Sequence, residues 1–126
     1  MKIGMNFLLW TGHVTEEHSY TFRKLKAVGF DGVEIPVFDA SSPAHYRRLG
    51  QILDDLGLER TAITILPDEQ HNAISSVAAH RQGAIAHLKR VVECAHELGS
   101  SMLAGPYFQV LAQFTGERPS ETELEH

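Results

Sequence analysis

"KAVGFDGVEI", Lys26 to Ile35, is the stretch on which the fold turns. It passes from the end of an amphipathic segment, through a hydrophobic residue and a glycine, into a short run of β-forming residues. The same grammar returns in "DDLGLERTAITIL", Asp54 to Leu66, and in "HELGSSMLAG", His96 to Gly105. Glycine adopts the left-handed conformation that ends a helix without a Cβ penalty, so Gly29, Gly57 and Gly99 each mark a change from helix to strand. The chain therefore alternates strand and helix.

The spacing predicts a first helix from Thr15 to Val28. Thr15 is its cap, Glu16 and Glu17 sit at the positive dipole end, Phe22, Leu25 and Val28 turn inward, and Lys24 and Lys26 stay in water. A second helix starts at Ser42, with Pro43 in the first helical position, and presents Tyr46, Leu49, Ile52, Leu53 and Leu56. A third spans Val77 to Leu98: Ala84, Leu88, Val91, Ala95 and Leu98 recur at helical steps, and Ile85 and Val92 widen the stripe. Strands are expected over Ile3–Leu9, Gly32–Ile35, Thr61–Leu66 and Ser101–Ala104. Their short, nearly continuous apolar runs suit strands covered on both faces, and helix-length crossovers favour parallel pairing. The order is β1α1β2α2β3α3β4. A capping-box pattern, Ser120 with Glu123 and a proline just upstream, then announces a fourth helix where the chain stops.

With 126 residues, 43% hydrophobic and 21% charged, the chain has the make-up of one globular domain with a real core. Sixteen acidic against eleven basic residues give a net charge of −5, which disfavours nucleic acid and membrane surfaces as partners. Cys94 is the one cysteine, so neither an intrachain disulfide nor a cysteine-based zinc cluster forms, and a cytoplasmic location is expected. No apolar stretch approaches the roughly 20 residues of a membrane span.

"KIGMNFLLW" at Lys2–Trp10, "GFDGVEI" at Gly29–Ile35 and "AAHRQGAIAHLKRVVECAHELGSSMLAGP" at Ala78–Pro106 occur in an order and spacing that resemble the sugar isomerase and epimerase family. Within it the chain is most similar to ketose 3-epimerases of the D-tagatose and D-psicose type, relatives of xylose isomerases and apurinic endonucleases. The resemblance covers Met1 to about Thr122. It implies an α/β fold, a (β/α)8 barrel of roughly twice this length. This chain would then be a parallel-stranded half-barrel over residues 1–122, with 123–126 the start of a cut helix, and "LEH" resembles a tag remnant.

The resemblance also implies a division of labour. Such epimerases use a divalent metal (manganese, cobalt or magnesium) and two carboxylates to move a proton beside a carbonyl, and their Glu, Asp, His and Glu ligands lie on later strands. No catalytic or metal residue is carried over, no cofactor is expected in this part, and the chain alone should be inactive. What it would supply is a sugar-binding wall: Asn6, Trp10 and His13 after the first strand, Glu34 at the end of the second, and Gly105 and Tyr107 of "GPYF" after the fourth. Trp10 matches an aromatic position of the epimerases, whereas Asn6 stands where they tend to have an aromatic.

Read by themselves, Trp10 is equally a rim-packing residue, Glu34 a carboxylate bonded to loop backbone, and Gly105 a turn glycine. The loop "PDEQHN", Pro67–Asn72, adds the carboxylates Asp68 and Glu69. Two motifs mimic metal chemistry, Glu93 with His96 and His13 with Glu17 and His18, but short motifs of this kind are weak signals. Cys94 lies near an apolar stripe, as an inert buried thiol would. Two other readings stand beside the epimerase: an engineered half-barrel that only folds and assembles, and a fragment of an apurinic endonuclease-like phosphodiesterase. Open strand edges predict a homodimer or higher homo-oligomer.

Overall fold

The computed structural model describes all residues except 114, 115, 117, 119 and 126, and all side chains of the others except those of 122 and 123. Among the described residues, strands β1 (Gly4–Asn6), β2 (Gly32–Pro36), β3 (Glu59–Ile63) and β4 (Leu103–Ala104) form one sheet in the order β1-β2-β3-β4. Every neighbouring pair is parallel. Helices α1 (Ser19–Ala27), α2 (Pro43–Asp55) and α3 (Ala78–Glu97) make the crossovers, and the short α4 (Glu121–Leu124) follows β4. The sheet does not close on itself: β1 and β4 are its edges. Gly29, Gly57 and Gly99 end α1, α2 and α3 with φ of +98°, +61° and +76°, as the repeated grammar requires.

The core lies between the sheet and its helices. Val33, Ile35 and Ala62 face Phe22, Leu25, Leu49, Leu53, Val91 and Leu98 in one continuous buried cluster. Burying a side chain of this size contributes about 1.5–3 kcal/mol. Because strand residues alternate, Gly4, Asn6, Gly32, Glu34, Glu59 and Thr61 fall on the opposite face. They line an open trough of about 440 Å³. In this half-barrel the inner face is polar and the helix-facing side apolar.

Arg60, although on a strand, points to the helix side, where its side chain is 13% exposed. Its Nε donates to the Leu98 carbonyl at 3.0 Å and its Nη2 to the Gly50 carbonyl at 3.1 Å, and it pairs with Asp54.

Several sequence expectations need correction. The first strand ends at Asn6 rather than Leu9, because the Asn6 Oδ1 accepts from the Leu8 N–H at 2.8 Å and turns Phe7–Leu9 into a 3-10 turn. β3 starts two residues earlier than expected and ends three earlier, Leu66 making only an isolated bridge to Val110, and β4 is reduced to two residues. Thr15 does cap, in a capping box with His18, but Glu16–His18 are 3-10 and α1 begins at Ser19. Val28, Ile85 and Val92 do not face inward: they are 74%, 46% and 56% exposed. One sheet covers a narrower arc of each helix than the apolar periodicity spans.

Candidate functional site

Asn6, Glu34 and Thr61 stand side by side, since the parallel register pairs Asn6 with Glu34 and Glu34 with Thr61. The Asn6 Nδ2 donates to the Glu34 Oε1 at 2.7 Å, and the Thr61 hydroxyl approaches Oε2 at 3.4 Å. Asn6 is thereby fixed at both ends of its amide, one end on the backbone turn and the other on the carboxylate. Glu34 is held by side chains of the flanking strands, not by loop backbone. Its carboxylate is half-buried on the inner face and keeps acceptor capacity for a further donor.

The residues after β1 divide into two groups. Trp10 is 48% exposed and leans on buried Phe7, with ring centroids 5.1 Å apart. It is a rim residue with a free ring surface. His13 stacks on His45 at 5.2 Å with an interplanar angle of 10°, and His45 in turn hydrogen-bonds the Val14 carbonyl at 2.8 Å. His13 thus packs over the start of α2 rather than joining the Asn6–Glu34 row. Asp39, after β2, has a carboxyl held below its usual range by hydrogen bonds from Ser41.

After β4, Gly105 has φ +134°, and a Cβ there would meet the Thr64 carbonyl oxygen at 1.9 Å. The close approach that this glycine permits is to β3's own continuation. The Tyr107 hydroxyl donates to the Leu103 carbonyl at 3.3 Å, and its ring packs with Leu66, Ala84 and Val110. Of the six sequence-derived positions, Asn6 and Glu34 are joined directly, and the other four surround the strand ends without touching that pair through any described hydrogen bond.

The profile of the xylose isomerase-like TIM barrel matches residues 22–126. The chain belongs to this family. A ketose 3-epimerase of Arthrobacter globiformis is 30% identical over 115 residues, covering 90% of this chain and 39% of that protein. A Synechocystis sp. protein described as "Probable ketose 3-epimerase" is 28% identical over 119 residues, covering 93% and 40%. A crystal structure of D-psicose 3-epimerase in the presence of D-fructose superposes with a TM-score of 0.80 at 20% identity, covering 98% of this chain and 43% of that one, a likeness of fold. The chain spans about two fifths of the length of the curated relatives it matches.

For a xylose isomerase-like barrel of this kind the resemblance implies a divalent metal, and the residues present do not fit one. Among the described residues, no group of three or more His, Cys, Asp or Glu could hold an ion, and Glu34 is a single carboxylate already engaged on both oxygens. Hard cations need several converging oxygens. Glu93 and His96 belong to no such group, and Cys94 is fully buried with its thiol pushed up to about 11 by burial, so it is no nucleophile at neutral pH. Among the described residues no helix is long and apolar enough to cross a membrane.

Sequence reasoning missed a cluster at the end of β3 that draws together Asp68, Glu69, His71, His80 and His87. The signal was present: His80, Gly83 and His87 lie at three- and four-residue steps on one side of α3.

Proposed function

We propose that this chain is the substrate-orienting half of a ketose 3-epimerase barrel. The observation that carries the reading is the Glu34 carboxylate, fixed by Asn6 and Thr61 on the inner face of a family barrel whose curated relatives are described as ketose 3-epimerases. Inverting a carbon beside a carbonyl demands that its proton be removed on one face and returned on the other. In this reading Glu34 accepts a hydrogen bond from a ketose hydroxyl, Trp10 covers an apolar face of the sugar, and the proton-transferring groups and their metal come from outside these residues. The loops at 7–18, 37–42 and 64–77 contain neither lysine nor arginine, which favours an uncharged polyhydroxy ligand over a phosphorylated one.

The test is a titration of the isotope-labelled chain with D-fructose, followed by NMR, alongside an epimerisation assay. Amide shifts are expected at Asn6, Glu34 and Trp10 and should vanish in Glu34→Gln. No epimerised ketose should form, with or without manganese, cobalt or magnesium, and these ions should leave the melting temperature unchanged. Chelator-sensitive turnover by the chain alone, or sugar-induced shifts scattered away from the strand ends, would overturn the reading.

A further inference from the structure

The segment between β3 and α3 is fastened to the helix chiefly through histidines. Its 3-10 turn, Glu69–His71, lies so close to α3 that a Cβ on Gly83 would meet the Gln70 carbonyl oxygen at 2.3 Å. His80, on the same side of the helix, bonds the Ser75 Oγ at 3.1 Å and reaches the Glu69 Oε1 at 3.4 Å. Arg81 Nη1 donates to the Ser75 carbonyl at 2.7 Å. His71 bonds the Asp68 Oδ1 at 2.7 Å, and its ring stands edge-on to that of His87, with centroids 5.4 Å apart.

His87 lies beneath this arrangement, 6% exposed. Among the described residues its Nε2 is buried without a hydrogen-bond partner. The Ile65 backbone hydrogen-bonds the ring, and no acceptor meets Nε2, so a doubly protonated ring would leave a buried N–H unsatisfied. A second proton would put a cation in the interior with nothing to receive it. The charged and titratable groups acting on it are His71 and Asp68 from the segment and Arg90 from its own helix. Burial, then His71 and Arg90, hold its pKa below the ordinary histidine value, while the Ile65 carbonyl and Asp68 act the other way.

We propose that Asp68–Ser75 is an acid-released clasp, seated on α3 while His87 is neutral and freed when that ring takes up a proton. The released form exposes the ring to water and relieves its contact with His71. The direction follows from linkage. The seated state favours neutral His87, so its contribution is complete above about pH 6.5, the ordinary histidine value, and is lost as pH falls through the lower seated value. Hydrogen bonds from His71 and Asn72 hold the Asp68 and Glu69 carboxyls below their usual range, so what they contribute to the seated state is lost only below the ordinary carboxyl values of about 4. Release at higher pH therefore belongs to His87.

Amide exchange of residues 69–75 in the full chain, corrected for intrinsic pH dependence, tests this together with the NMR titration of the histidine rings. Between the released and the seated midpoint of His87, protection should fall about tenfold per pH unit, and level off below the pH at which the ring signal titrates. His87→Phe should keep the segment protected across the same range. Gly83→Ala, which pushes the segment off by bulk, should return the His87 midpoint to the ordinary histidine value. A His87 ring that titrates at that value in the unaltered chain, protection independent of pH, or the same loss of protection in a folded His87→Phe protein would each overturn the clasp. If His87→Phe does not fold, the ring titration and the Gly83→Ala midpoint decide.

Discussion

Replacing Gly105 by alanine separates a structural from a ligand-binding reading of that position. The new Cβ would lie 1.9 Å from the Thr64 carbonyl oxygen, 3.0 Å from its carbon and 3.2 Å from its nitrogen, where unstrained carbon contacts need about 3.5 Å or more. Thr64 is fully buried and cannot retreat freely. Its N–H donates to the Ala104 carbonyl at 2.9 Å and its hydroxyl to the Val37 carbonyl at 2.8 Å, and moving it breaks one or both bonds at about 1 kcal/mol each. A φ of +134° adds backbone strain of about 1–3 kcal/mol for a residue with a side chain. The sum is about 2–5 kcal/mol, which in a urea titration with a slope of about 1.5 kcal/mol per molar is a midpoint loss of about 1.3–3.3 M. Gly29→Ala is the control: it too has positive φ, +98°, but nothing within 4 Å of the added carbon, and should lose only about 1 kcal/mol. If Gly105→Ala proves no worse than Gly29→Ala, the close approach of β4 to β3 does not constrain the fold and the argument fails.

Arg60→Leu should destabilise the chain by about 2–3 kcal/mol in the same titration, because the carbonyls of Gly50 and Leu98 lose their buried donor; a change below about 0.5 kcal/mol, the size of an ordinary surface substitution, would show that water replaces the guanidinium without loss. The exposed edges β1 and β4 present unpaired backbone groups, so two copies are expected to pair β4 of one with β1 of the other about a two-fold axis and close an eight-stranded sheet. Light scattering on size-separated protein checks this, and a monomer with no concentration dependence would refute it.

The alternation of elements was legible because glycine at a helix end is a backbone requirement that tertiary contacts rarely override: Gly29, Gly57 and Gly99 all adopt the positive φ the sequence demands. The inward stripe of α2 was legible for the same kind of local reason, with Tyr46, Leu49 and Leu53 buried at helical spacing. Strand lengths were not. The apolar run Phe7–Leu9 continues the pattern of β1, yet one side-chain hydrogen bond from Asn6 diverts it. Periodicity likewise cannot tell how wide an arc the sheet will cover, which is why Val28, Ile85 and Val92 were misplaced. In the candidate site, Glu34 was found at its strand end, but its union with Asn6 depends on register between strands 28 residues apart, information that no local window contains. The histidine cluster escaped for the same reason, since its members come from a loop and from the helix that folds back over it.

The position of Arg60 bears on how the molecule opens. Its guanidinium holds the carbonyl of Gly50 in α2 and that of Leu98 at the end of α3 from a strand that pairs with both neighbours. A fluctuation that lifts either helix from the sheet must break a bond held in common with the other, so local openings of the two are linked through one side chain. Slowly exchanging amides of α2, β3 and α3 should accordingly share one opening free energy and behave as a single cooperative unit, while α1, which has no bond to Arg60, can fray on its own.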